Sequence, residues 1–296
     1  MPPKPLRSFV VLAASGLAFL MAGAAHADTI IIWQNGFESA DTCAWAKTKP
    51  SVTCDPEMVF VPAGEFTMGE DDRNTNGPVH TVSLSAYWID RTAVTLDDYT
   101  ACMTAGGCAA PNGEYALTAE GQYCNWGAPW SAGGQPINCV DWDHALAYCV
   151  WGSKRLPTEA EWEKAARGVD ARIYPWGDET PSCDYAVLYP GDGGPTCASN
   201  HTDPVGTKPA GASPYGALDM TGNIYQWVLD WYDEAYYSIS PYANPPGPLT
   251  SPFGSRVYRG SPWFISNGDF LHSSERNYLD PAGWGYSLGF RCARDG

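Results

Sequence analysis

Hydrophobic and polar positions alternate most clearly near the start of the main body of the chain. MVFVPAGEFTMGED, residues 58–71, is strand-like and breaks at Pro62-Ala63-Gly64. HTVSLSAYWIDRTAVT alternates from Val82 and predicts a second strand. Three helices carry start signals. Thr95 with Asp98 three residues on resembles a capping box, opening a helix that fades by Gly106. Asp141 can cap WDHALAYCVW, which has an apolar face and carries Cys149. PTEAEWEKAARG has the fullest signal: Thr158 as N-cap, Glu161 at N3 and Gly168 as the stop. From Ile173 onward no helix is predicted, and Trp, Tyr, Gly, Pro and Asn recur in short runs without an internal repeat. The pattern predicts few helices and much ordered loop over small sheets. Long loops inside a compact domain are usually functional or stapled.

Composition sharpens this picture. Gly 31 and Pro 25 in 296 residues argue against a helical bundle. The opening MPPKPLRSFVVLAASGLAFLMAGAAHADT reads as an export leader, with Lys4 and Arg7 ahead of an apolar run and an Ala25-His26-Ala27 cleavage site. The expected organisation is a signal peptide at 1–27, a short extension with a Cys loop at 28–56, and one domain at 57–296. No other stretch approaches transmembrane length, so an exported protein, periplasmic or extracellular, with no integral membrane segment is expected. The formal net charge of −16 becomes more negative once the leader's two cations are removed. Such a surface repels nucleic acid and anionic lipid, and keeps an exported protein soluble.

The ten cysteines all follow the leader, and an even number in an exported chain argues for disulfides. There is no CxxC and no Cys/His cluster with zinc spacing. Sequence alone leaves several hundred pairings open. Closeness along the chain suggests Cys43–Cys54, Cys102–Cys108, Cys124–Cys139 and Cys183–Cys197, which leaves Cys149 with Cys292.

Five blocks occur in a telling order: FVPAGEFTMG; PINCVDWDHALAYCVWGSKRLPTEAEWEKAARG; YPWGDE; GALDMTGNIYQWVLDWY; and RVYRGSPW with LGFRCA. Together they resemble the formylglycine-generating enzymes, also called sulfatase-modifying factors, from about residue 57 to 296. The resemblance implies an α+β variant of the C-type-lectin-like fold, with few helices, small antiparallel sheets and long disulfide-stapled loops. It also implies a bond between the cysteine of the AYC helix and that of LGFRC, here Cys149 and Cys292.

Active members of that family oxidise a sulfatase cysteine to formylglycine with oxygen and Cu(I), held by two cysteines after an RGGSW-like block. Soft thiolates suit Cu(I). Here the block is Arg259-Gly260-Ser261-Pro262-Trp263, and the two positions fall on Ile265 and Phe270. Neither side chain can ligate copper, so copper is not expected and no catalytic residue is assigned. The resemblance also implies structural calcium at Asp219, the carbonyls of Gly222 and Ile224, and Gln226, with Gln226 standing where the family has Glu. A second family calcium site has Val187 in place of its Asn and is not expected.

Other chemistry has little support. His201-Thr202-Asp203 has the H-x-D spacing of an iron site but no partner histidine, and reads as a polar loop. His80, His144 and His272 stand singly, and GxSxG and SxxK are absent. Two functions remain. One is a non-catalytic binding or envelope-associated module, taking a protein or glycan ligand on Trp263, Phe264, Asn267, Asp269, Arg276, Tyr278 and Trp284. The other is an oxidoreductase of the formylglycine-generating type, or another oxidase of the superfamily.

Overall fold

A computed structural model describes residues 57–71, 76–114, 123–189, 197, 201–265 and 268–296. The expected leader, the extension and the Cys43–Cys54 loop lie outside the described residues.

The first strand-like run is two strands, β1 (Met58–Val61) and β2 (Gly64–Met68). Gly64 makes the break with φ 138°, in a region side-chain-bearing residues rarely enter. The second run is also two strands, β3 (His80–Leu84) and β4 (Tyr87–Asp90), not the single strand expected. β3 pairs with β2, whereas β4 pairs with β1. The chain changes sheet at Ser85, whose N–H goes to the Asn244 side chain at 2.7 Å. All four β4 residues are buried, so alternation ends where the strand gains neighbours on both faces.

The three predicted helices form. α1 (Leu96–Thr104) and α3 (Glu159–Arg167) have complete capping boxes at Thr95 and Thr158. α2 (Trp142–Trp151) starts at Asp141, whose side chain accepts from His144 N. After α3 the described residues hold only single-turn 3-10 segments and five strands: β5 (Tyr225–Trp231), β6 (Arg256–Gly260), β7 (Arg276–Leu279), β8 (Leu288–Phe290) and β9 (Ala293–Asp295). Three sheets result, ordered β1-β4-β9, β2-β3 and β7-β6-β5-β8. Their pairings are antiparallel except β5 with β8. Four disulfides, Cys102–Cys108, Cys124–Cys139, Cys149–Cys292 and Cys183–Cys197, match the expected pairs.

Helix α3 is the hub. Its apolar residues Ala160, Trp162, Ala165 and Ala166 pack with Val59, Tyr87 and Val228 in one core cluster. Every residue from Glu159 to Arg167 is buried, although five of the nine are charged. Glu163, with no exposure, accepts from Gly69 N at 2.8 Å, Arg167 at 3.0 Å and Arg259 at 2.5 Å. Glu159 takes Arg276 through both carboxylate oxygens, at 2.9 and 2.8 Å. Lys164 donates to the carbonyls of Pro62 and Gly64, both at 2.8 Å, and clasps the β1–β2 turn. A second core cluster joins α2 to β5 and β8 around the Cys149–Cys292 bond.

Two outcomes follow from α3. Glu163→Gln leaves Arg259 buried without its closest carboxylate, and urea unfolding should show a loss of about 3–5 kcal/mol. A loss under about 1 kcal/mol would contradict the role given to this pair. Burial pushes the Lys164 ammonium down from 10.5 to about 8. Between about pH 8 and 10 the unfolded chain therefore holds more protons at this residue than the folded one, and its contribution to stability rises with pH. Lys164→Met should remove that upward slope when stability is measured from pH 7.5 to 9.5.

Candidate functional site

The segment that the resemblance makes chemical leaves the sheet at Gly260. A side chain there would meet Met220 O at 3.0 Å and the Trp162 ring at 3.4 Å, and φ is 83°, so glycine is required. Beyond it the chain is laced to two neighbours. Trp263 N donates to Asn223 O at 3.1 Å, Asn223 N to Val187 O at 2.8 Å, and Tyr189 N to Ile265 O at 3.1 Å. Ile265 packs with Tyr174, Ala186, Leu188 and Leu271 in a small apolar cluster. Phe270 is 46% exposed on a 3-10 turn. The two positions expected to lack sulfur thus sit one in packed hydrocarbon and one in solvent. All eight described cysteines are in disulfides.

The residues expected to form a contact surface separate into groups. Trp263 and Phe264 join Tyr123 and Tyr286 over Val187. Asn138, with no exposure, donates to Tyr123 O at 2.9 Å and Tyr286 O at 2.7 Å, fixing these two loops side by side. Trp284 lies against Gly113, where an added Cβ would come within 2.6 Å of its ring. Tyr278 is elsewhere, stacked at 4.0 Å on Tyr232, with Phe253 beyond it. Asp269 is exposed, and Asn267 lies outside the described residues. Arg276 is not a surface contact. It is 3% exposed, fixed on Glu159 and 4.0 Å over the Tyr237 ring, because two buried partners outweigh hydration of its guanidinium.

Three features were illegible in sequence. Tyr123 and Tyr286 flank a cysteine and a glycine-rich run, with nothing local to pair them. Glu70 accepts from Ser274 Oγ and meets His272 Nδ1 at 2.9 Å, which gives the lone His272 a carboxylate partner. Tyr174 meets that imidazole edge-on at 5.4 Å and stacks with Trp176 at 5.1 Å. His201, by contrast, stacks on Trp130 at 4.1 Å with Nδ1 2.7 Å from Thr202 O, a packed loop residue as the plain reading had it.

The expected calcium block is organised by a different cation. Arg291, with no exposure, donates to the carbonyls of Asp90, Arg91, Leu218 and Asp219 and to Gln226 Oε1. Gln226 Oε1 also takes Trp162 Nε1 at 2.8 Å, and its amide donates to Asp219 O at 2.7 Å. Gly222 O accepts from Ile224 N at 2.8 Å. Asp219 Oδ2 accepts from Gly206 N at 2.7 Å, and burial raises this carboxyl above its ordinary range. With Gln226 oxygen doubly bonded and a guanidinium in place, Asp219, Gly222, Ile224 and Gln226 as held here do not fit a calcium ion.

Comparison with known proteins places this geometry. A family model described as a sulfatase-modifying factor enzyme 1-like domain matches residues 44–296. A formylglycine-generating enzyme of Streptomyces coelicolor is 32% identical over 283 residues, covering 80% of this chain and 89% of that protein. The formylglycine-generating enzyme of Mus musculus is 28% identical, covering 81% of this chain and 75% of that protein. Among solved structures, PvdO from Pseudomonas aeruginosa is 30% identical with a TM-score of 0.67, covering 81% of this chain and 94% of that one. Treponema denticola variable protein 1 is 26% identical with a TM-score of 0.62, covering 81% of this chain and 95% of that one.

The calcium block yields a direct test. Melting temperature should be the same in chelator and in millimolar calcium. A calcium-dependent rise that Asp219→Ala abolishes would show that the ion displaces the Arg291 arrangement.

Proposed function

The chain belongs to the sulfatase-modifying factor enzyme 1-like family, and on that premise we propose that it is an exported, non-catalytic member that binds a ligand. The observation that carries this reading is the pair of positions where the resemblance places the copper thiolates. A Cu(I) site needs soft donors. Ile265 supplies a methyl-bearing side chain inside an apolar cluster, and Phe270 a half-exposed ring. The described cysteines offer no substitute, since each is committed to a disulfide. Export is supported by the leader-like opening of the sequence and by the four disulfides, which persist in oxidising compartments.

Binding is supported by what replaces the cysteine site. The segment Ser261–Ile265 is tied by backbone hydrogen bonds to Tyr189 and Asn223, and it carries the part-exposed Phe264 beside the buried Trp263 on a rigid scaffold. Rigid aromatic residues give contact area at small entropic cost, as in other recognition loops.

The test offers the purified protein a sulfatase-type cysteine peptide with Cu(I) and oxygen, and follows the peptide's mass. No conversion above a protein-free control is expected, and thiol titration of the denatured, unreduced protein should find no free thiol. Conversion by the unaltered protein would overturn the reading.

A further inference from the structure

Tyr278 and Phe253 expose their rings side by side, at a place that shares no residue with the segment Ser261–Ile265. Tyr278 stacks on the buried Tyr232, with centroids 4.0 Å apart and planes 21° apart. Phe253 is 5.6 Å from Tyr278, its plane turned by only 20°, and 6.1 Å from Tyr232. On the opposite side of Tyr278 from Tyr232 it would be separated from Tyr232 by nearly the two shorter distances end to end. The 6.1 Å instead puts it at the flank of the Tyr278 ring. The two rings therefore turn their faces the same way and make a shelf two rings wide, backed by Tyr232. We propose that this shelf binds an extended, uncharged glycan chain by stacking its pyranose rings.

The shelf is open and fixed in advance. Tyr278 is 45% exposed and Phe253 58%, whereas Tyr232 beneath them is 2% exposed, so a ligand laid on the outer faces displaces no packed side chain. Tyr278 stands on β7 opposite the buried Val257 of β6. Phe253 is held in its turn from both sides: its N–H donates to Ser251 Oγ at 3.1 Å, and its carbonyl accepts from Ser255 Oγ at 3.3 Å. Tyr232 N donates to Ser255 O at 2.9 Å, which ties that turn to the end of β5. The Tyr232 ring lies 5.0 Å from the guanidinium of Arg276, itself clamped on Glu159. A surface that needs no ordering on binding keeps more of its interaction energy as affinity.

The chemistry selects the occupant. An aromatic face carries the negative part of the ring quadrupole and attracts weakly positive hydrogens. A pyranose presents C–H hydrogens on its faces and hydroxyls around its rim, so it lies flat on such a ring with its polar groups still in water. The 5.6 Å between the two ring centres is close to the length of one sugar along an extended β-1,4-linked chain, so successive pyranoses can rest on neighbouring rings. Residues 235–255, which carry Phe253, hold no charged side chain, although 17% of the chain is charged, so a charged ligand finds no counter-charge there. Burial raises the Tyr232 phenol against the pull of Arg276, and the exposed Glu234 adds to the rise. That carboxylate is thus near the shelf as an acceptor for sugar hydroxyls. A peptide strand added along the edge strand β7 would need Arg276 N, which already donates to Asn76 Oδ1 at 3.3 Å.

The test titrates the full chain with cellohexaose and with chitohexaose, following calorimetry and intrinsic fluorescence. Glucose serves as the single-ring control and an oligoproline peptide as the rival ligand. Saturable binding of at least one hexaose is expected, at least about tenfold tighter than glucose. Tyr278→Ala and Phe253→Ala should each weaken it about tenfold, Tyr278→Phe should keep most of it, and Trp151→Ala, exposed on α2, should leave it unchanged. Melting curves separate lost binding from lost folding, and Phe253→Ala, which removes a largely exposed ring, decides the matter if Tyr278→Ala proves unstable. No binding of either hexaose overturns the proposal, as does binding that survives both alanine changes. Tighter binding of the oligoproline peptide makes the shelf a protein-docking surface and overturns it equally. Phe264→Ala distinguishes this site from the face around Ser261–Ile265: hexaose binding that is lost there and kept in Phe253→Ala belongs to that face and overturns the shelf alone.

Discussion

The pairing of buried charges between α3 and the large sheet is the constraint on which the rest depends. Arg259 has no exposure, and besides Glu163 it holds the carbonyls of Ser273 and Ser274 at 3.0 and 2.9 Å. Arg276, at the far end of the same loop, is clamped on Glu159. Asp230 on β5 accepts from Glu159 N at 2.7 Å, and burial beside Glu159 raises its carboxyl. Burying so many ions is costly unless each is paired and hydrogen-bonded. Here the pairing fixes where one helix, three strands and both ends of the loop lie. That loop is the one in which the resemblance places the family's thiolates. Because its two ends hang from arginines outside the chemistry, its interior can exchange cysteine for Ile265 and Phe270 while the frame persists.

What the sequence disclosed was what is local. The caps at Thr95, Asp141 and Thr158 are three-residue signals, and all three helices start where those residues stand. The disulfides between near neighbours followed from chain distance, and Cys149–Cys292 from what those pairs left over. The described body from β1 onward is α+β with three small sheets, the fold of the formylglycine-generating enzymes, as the five blocks implied. Features set by distant partners stayed hidden. Arg276 read as a surface cation because its acid lies 117 residues away. Gln226 and Asp219 read as ion ligands because nothing near them in sequence announces Arg291. Tyr123 and Tyr286 meet ring to ring at 5.1 Å beside Asn138, which is 148 residues from one of them.

Arg291 makes the same point about charge. Its guanidinium collects four backbone carbonyls and one amide oxygen, much as a hard ion would, but it is covalently part of the chain. Burial lowers its proton affinity to about 10, still well above neutrality, so the cation is permanently in place. Its N-terminal and C-terminal neighbours, Phe290 and Cys292, anchor the second core cluster, so one short run supplies charge, apolar packing and a covalent tie.

The sheet order β1-β4-β9 has a consequence in time. β4 is flanked on one side by β1 and on the other by residues 293–295, and the Cys149–Cys292 bond spans 143 residues. A chain emerging from its N-terminus, whether from a ribosome or a translocation pore, cannot complete this sheet until the last strand arrives. Such long-range closure makes folding slow and late. The core is therefore finished only after residues 293–295 have been made.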